Sequence, residues 1–433
     1  MIPIRPAAHS SPTPPPSAAA ATPWRWARLA TAPHRLAFFA GGVALAATGL
    51  WWALMLALRH AGIATPWAVV PPVAHGLLMA VAFNPLFMIG FLFTAGPRWL
   101  GLPDVPGSSL VRAVLAYGAA MAVLLLGVHL HAGLAAAGLL GAAAVWTRLL
   151  WRFGRLVRAS RVPDTLHARA IVATSALGAA AMGVAALALA AGRVDIARAT
   201  TAVLLWGFVA PVFAIVSHRM LPFFTTSALP LHHAWRPDAL LQWMLAALLA
   251  TASGSAAEAM LGVLPAWAQA LLLAVQAPTA VLMLWLALRW GLVQSFAVRL
   301  LAMLHAGFVW LGITFALLAV ARGMALWQIG PGSLGLAPLH ALTVGFLGAT
   351  LLAMITRVAA GHSGRPLVAD GPALLLYGAV QLAAVARVLS ALWPDAPVAL
   401  LLLAAFAWAA AAVGWALRYG RWMGRPRADG RPG

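Results

Sequence analysis

The stretch LHALTVGFLGATLLAMITRVAAGHSGRPL, Leu339 to Leu367, decides the fold. From Leu339 to Thr356 it carries no formal charge. At 1.5 Å per residue, such a run crosses most of the roughly 30 Å hydrocarbon core of a bilayer as one helix. Yet it opens on His340, closes on Arg357 and runs into a polar turn holding His362 and Arg365. Ionisable groups in a membrane span are costly, so each is a candidate for function.

Similar runs recur along the 433 residues, of which 63% are hydrophobic and 8% charged, with mean hydropathy +0.92. A soluble surface cannot be built from that balance. Lipid offers backbone groups no partner, so the spans are helices, and the fold class is an all-α polytopic membrane protein. We count twelve spans, the first at 36–58 and the last at 397–418. The weakest division falls between 109–131 and 133–151, where VHLHAG gives little turn. Residues 1–34, with SPTPPPSAAAATP, read as a disordered cytoplasmic tail, 35–420 as the membrane domain and 421–433 as a basic cytoplasmic tail. No internal repeat is visible.

The formal charge is +20, and every basic residue other than histidine is arginine. Twenty-three of the 28 arginines fall on the side of the termini, four (Arg59, Arg193, Arg198, Arg322) on the other, and Arg387 inside a span. This asymmetry predicts both termini in the cytoplasm, and it explains the basic charge without nucleic acid. Absence of cysteine excludes thiolate metal sites, iron–sulfur clusters, disulfides and covalent haem attachment. Carboxylates are few and sit at span ends, which supplies a proton relay or sodium site poorly.

Histidines therefore carry the candidate chemistry. His75, His340, His129 and His131 share one depth on the periplasmic side, while His305, His218 and His362 lie on the cytoplasmic side. His129 and His131 point about 200° apart on a helix, so at most one serves a shared ion. His9 and His34 belong to the tail or its edge, and His60, His167, His232 and His233 read as solvated residues at span edges. Imidazole suits iron and copper, and a haem held between two helices needs ligands at matching depth. His75 and His340 meet that condition. Arg98, Arg219, Arg357 and Arg365 lie in the cytoplasmic tier, where guanidinium groups pair with carboxylates such as haem propionates. His340 and Arg357 are about 25 Å apart along a helix, so no small site uses both tiers. Asn84-Pro85 in the second span predicts a kink, with Asn84 covering freed backbone groups.

These residues resemble the signature of the NnrS family, bacterial membrane proteins associated with nitric oxide and denitrification. LHALTVG (Leu339 to Gly345) and the pattern Thr356-Arg357-Val358, Gly361-His362, Gly364-Arg365-Pro366 match two of its elements. GFLFTAGPRWLG (Gly90 to Gly101), Arg219 with PFFT (Pro222 to Thr225) and HAGFVWL (His305 to Leu311) are similar to three more, in the same order. One element departs: where the family has HxHEM, this chain reads His75-Gly76-Leu77-Leu78-Met79. The resemblance implies twelve spans in a bacterial inner membrane, haem and copper binding, and protection against nitric oxide or nitrosative stress. His75, His340, His305 and His362 are the retained family histidines. His75 and His340 are the expected haem ligands, and His305 with His362 a second metal or haem site, with Arg357 and Arg365 supplying charge. The alternatives are a transporter of a metal, haem or small anion, and a haem–copper oxidase or nitric oxide reductase. The latter needs about three imidazoles for copper, and span 10 offers His340 alone at its depth.

Overall fold

The computed structural model describes residues 23–229, 235–330, 333–393 and 395–431. Twelve helices are long and apolar enough to span a membrane. They are α1 (Pro33–His60), α2 (Pro71–Trp99), α3 (Gly107–Leu130), α4 (Ala132–Ala159), α5 (Leu166–Ala190) and α6 (Val194–Ala228), followed by α7 (Asp238–Leu261), α8 (Ala266–Arg289), α9 (Arg299–Trp327), α10 (Ala337–His362), α11 (Gly371–Leu392) and α12 (Val398–Met423). No strand occurs among the described residues. The chain is an all-α, multi-pass membrane protein. VHLHAG does divide two helices: α3 ends at Leu130, and the ring Nδ1 of His131 accepts from the amide of Gly133 to start α4.

Three helices form the centre. Of their most apolar stretches, α2 has 83% of residues buried, α6 78% and α10 78%, against half or less for every other helix. Nine helices enclose them, and the order of neighbours repeats with a step of four. Thus α4 packs on α5, α8 on α9 and α12 on α1, while α1, α5 and α9 flank α2, α6 and α10 in turn. The sequence shows no repeat because what recurs is the order of packing rather than the residues.

All three central helices break regular α geometry. α2 is interrupted between Val81 and Asn84. Pro85 has no N–H, so the carbonyl of Val81, four residues earlier, loses its helical donor. The hydroxyl of Tyr117, on α3 and fully buried, donates to that carbonyl at 2.7 Å. The Asn84 side chain donates to the carbonyls of Met79 and Ala80 at 3.1 and 3.2 Å, which is the kink expected from the sequence. α6 and α10 each contain a wide π-helical segment, Val203–Val209 and Ala341–Gly348. Such segments are rare and concentrate at functional sites. In α10, Gly345 is obligatory: a Cβ there would meet the Trp310 ring of α9 at 2.5 Å.

Both ends of the chain meet on one face, called here the terminal face. Arg35, buried near the start of α1, donates to the carbonyls of Met423 and Arg425 at 3.0 and 2.7 Å and so caps α12. Trp24 donates to the carbonyl of Gly420 at 3.2 Å, and Trp26–Thr31 forms a 3-10 turn. Residues 24–34, expected as tail, are thus packed on the bundle, while residues 1–22 lie outside the described residues. At the other end α12 continues to Met423, and Ala428 donates back to the carbonyl of Ser363 at 2.8 Å.

Replacing Tyr117 with Phe keeps the ring and strands a buried carbonyl. The expected loss is about 1–3 kcal/mol of stability, read as a lower thermal midpoint in detergent. An unchanged midpoint would show that the Val81 carbonyl has another donor.

Candidate functional site

On the face opposite the termini, α2 and α10 bring His75 and His340 together. Each lies one turn inside its helix, after Pro71-Pro72 and Pro338. Proline favours that first turn because its missing N–H would have no acceptor there anyway. The two imidazoles lie within electrostatic reach of each other and of the Arg387 guanidinium on α11. The Nδ1 of His340 lies 3.0 Å from the carbonyl of Leu336. A carbonyl only accepts, so Nδ1 carries the proton and the lone pair sits on Nε2. This is how metal-binding imidazoles are oriented, with one nitrogen tied to a carbonyl and the other presented. His75 stacks on Trp52 of α1, with ring centroids 4.0 Å apart and planes 17° from parallel. Its Nδ1 is buried without a hydrogen-bond partner among the described residues, a costly state for a polar atom. Beside His75, Gly76 lets α6 approach: a Cβ would meet Thr201 at 2.7 Å.

His129 is accounted for structurally. Its Nδ1 donates to the carbonyl of Pro66 and its Nε2 accepts from the Trp51 indole, both at 2.8 Å. It ties α1, α3 and the loop before α2 together, and neither nitrogen remains for a metal.

The terminal face carries three histidine contacts. His34 is buried in the first turn of α1, its ring 4.2 Å from that of His362 and its Nδ1 3.4 Å from the Thr94 hydroxyl. His167, expected to be solvated, is 1% exposed. Its Nε2 lies 3.0 Å from Nδ1 of His218, whose Nε2 lies 3.2 Å from the carbonyl of Pro237. The carbonyl fixes the order: His218 donates through Nε2 and accepts at Nδ1 from His167. His305 donates through Nε2 to Thr225 at 3.0 Å, since that threonine spends its own proton on the carbonyl of Leu221. His34, His167 and His305 stand near the starts of α1, α5 and α9, again with a step of four. His362 and His305, expected to share a site, thus have different partners. His232 and His233 lie outside the described residues.

The four arginines of the terminal face brace the helix ends. Arg98 pairs with Asp104 at 3.5 Å, both well exposed. Arg219 pairs with Asp164 at 3.6 Å and lies over the Trp99 ring of α2 at 4.7 Å. Arg357 lies over the Phe224 ring of α6 at 4.1 Å, and Arg365 over Trp422 of α12 at 4.4 Å. Cation–π contacts of this kind join α6 to α2 and α10 to α6.

A family model described as NnrS protein matches residues 28–427, nearly the whole chain. The chain belongs to the NnrS family. Membership suggests a membrane protein of nitric oxide response, and no curated protein matches this NnrS chain. Sequence reasoning missed Trp52, one of 20 tryptophans, and the placement of His34, whose position at a span edge gave no sign of burial.

The His167–His218 bond yields a direct test. Replacing His167 with Phe fills the space but leaves buried Nδ1 of His218 without its donor. About 1–3 kcal/mol of stability should be lost. A His167→Phe, His218→Phe double variant that is more stable than His167→Phe alone would show the pairing; equal loss in single and double variants would refute it.

Proposed function

We propose that this NnrS protein is a haem protein of the bacterial inner membrane that protects against nitric oxide and nitrosative stress. His75 and His340 would hold its iron. The observation that carries this reading is the oriented lone pair on Nε2 of His340, held across two buried helices from His75, whose own ring carries an unpartnered nitrogen. The donor set fits a haem: two neutral imidazoles at one depth, one tied to a carbonyl and one clamped by an indole, with a guanidinium nearby. Copper finds no comparable set. Among the described residues no three of His, Cys, Asp or Glu converge, and the leucines at 77 and 78 stand where the family pattern carries ligands. The function proposed here therefore rests on haem alone.

A haem bound there would supply a site for diatomic nitric oxide only if one of the two imidazoles released the iron. The chain's own residues do the rest. Leu336 holds the His340 tautomer, and Trp52 holds the His75 ring plane. The kink at Asn84-Pro85 sits two to three turns below His75, so the segment bearing the histidine is a short unit joined to the rest of α2 through side-chain hydrogen bonds. The terminal-face arginines, expected beside propionates, support this reading less, because each is engaged with an acidic or aromatic neighbour, and Arg357 lies about 25 Å from His340 along α10.

Purified protein should show a Soret band that shifts on reduction with dithionite, with iron in the same sample. His75→Ala and His340→Ala should each lose or alter the band, while His129→Ala should keep it. A colourless, folded, iron-free protein after expression with added haem would overturn the reading and favour transport.

A further inference from the structure

Arg387 has no role in the ligand pair, and α11 offers it no acid. It forms no ion pair among the described residues. Among the described residues its one side-chain hydrogen-bond partner is Ser390, whose hydroxyl accepts from Nη1 at 3.2 Å and donates to the Arg387 carbonyl at 2.9 Å. Asp395 follows in the next loop but is exposed and makes no ion pair with it. A half-buried guanidinium with one neutral partner is electrostatically incomplete.

The guanidinium lines a cavity of about 290 Å³ with Ser390, Leu336, Val398 and Leu401. The first turn of α12 forms part of the wall; the Leu400 N–H donates to the carbonyl of Pro397 at 2.9 Å, which leaves the N–H groups of Val398 and Ala399 without an intrahelical acceptor. Arg387, Ser390 and the first turn of α12 thus border one space whose remaining walls are alanine, leucine, valine and proline. That combination suits an oxyanion attached to an apolar body.

We propose that the cavity between α11 and the start of α12 is a binding site for an amphipathic organic anion, with its carboxylate or phosphate on Arg387. The cavity opens at the end of two membrane helices, where a lipid headgroup or a dissolved organic anion can reach it. Leu336 belongs both to its lining and to the His340 hydrogen bond, so an occupant would stiffen the turn that orients His340. The proposal stands independently of the haem reading.

The test is thermal unfolding of delipidated protein in neutral detergent, with iron content measured on each sample. Phosphatidylglycerol, inorganic phosphate and uncharged diacylglycerol are titrated separately. Stabilisation by phosphatidylglycerol but not by diacylglycerol is expected. In Arg387→Gln the midpoint of the titration should move about tenfold or more to higher lipid, and Arg387→Lys should recover much of it. Val398→Trp fills the cavity, spares the guanidinium and should also abolish the response, which keeps the test sound if the Gln variant misfolds. Response to phosphatidylglycerol alone identifies a lipid headgroup; response to phosphate as well identifies a site for soluble anions. Iron lost in Arg387→Gln, with no response of the wild type to added anions, would overturn the proposal, because the guanidinium would then serve the haem site instead. Wild type and Arg387→Gln indistinguishable in anion response and in iron would also overturn it.

Discussion

A backbone carbonyl freed inside hydrocarbon has no water to turn to, and everything at the centre of this protein follows from that. Pro85 frees the Val81 carbonyl, and the carbonyl is tolerated because Tyr117 reaches across from α3 and Asn84 covers the next gaps. A break of this kind finds its partners most readily where neighbouring helices enclose it. The three irregular helices, α2, α6 and α10, are accordingly the three most buried. Enclosure then allows polar side chains at membrane depth, since a neighbouring helix can supply partners that lipid cannot. His75 and His340 occupy that protected centre at one level, near the far ends of two broken helices.

The two faces use their histidines differently. On the terminal face the rings make contacts between helices: His167 bonds His218, His305 bonds Thr225, and the rings of His34 and His362 lie against each other. These contacts, with the arginines over Trp99, Phe224 and Trp422, bind the surrounding helices to the central three. On the opposite face His129 is likewise saturated, but His340 has one nitrogen committed and one presented, and His75 has a buried nitrogen without a partner. An unpartnered nitrogen alone does not mark a ligand, since His167 also keeps a buried Nδ1 without a partner among the described residues; the presented Nε2 of His340 at the depth of His75 is what sets that pair apart.

Hydropathy and arginine placement made the twelve spans legible, because both follow from single-residue transfer energies read along the chain. Asn84-Pro85 was legible too, since proline's missing donor is a local fact. The pairing of α2 with α10 was legible only as matching depth. Nothing local could place Trp52 on His75, since that contact is made between helices and tryptophans at span ends have a general interfacial use. His34 read as tail edge and His167 as solvated for the same reason: a histidine in the first turn of a helix is exposed or buried according to what packs above it. The repeat of neighbours by four is carried by the order of packing, which no residue-by-residue comparison detects.

The central claim is that His75 and His340 hold one iron between them. Electron paramagnetic resonance of the ferric protein as purified tests it most directly. The account predicts a low-spin signal of bis-imidazole type that disappears in either His75→Ala or His340→Ala and survives His362→Ala. A signal indifferent to both substitutions, or one lost with His362 instead, would contradict it.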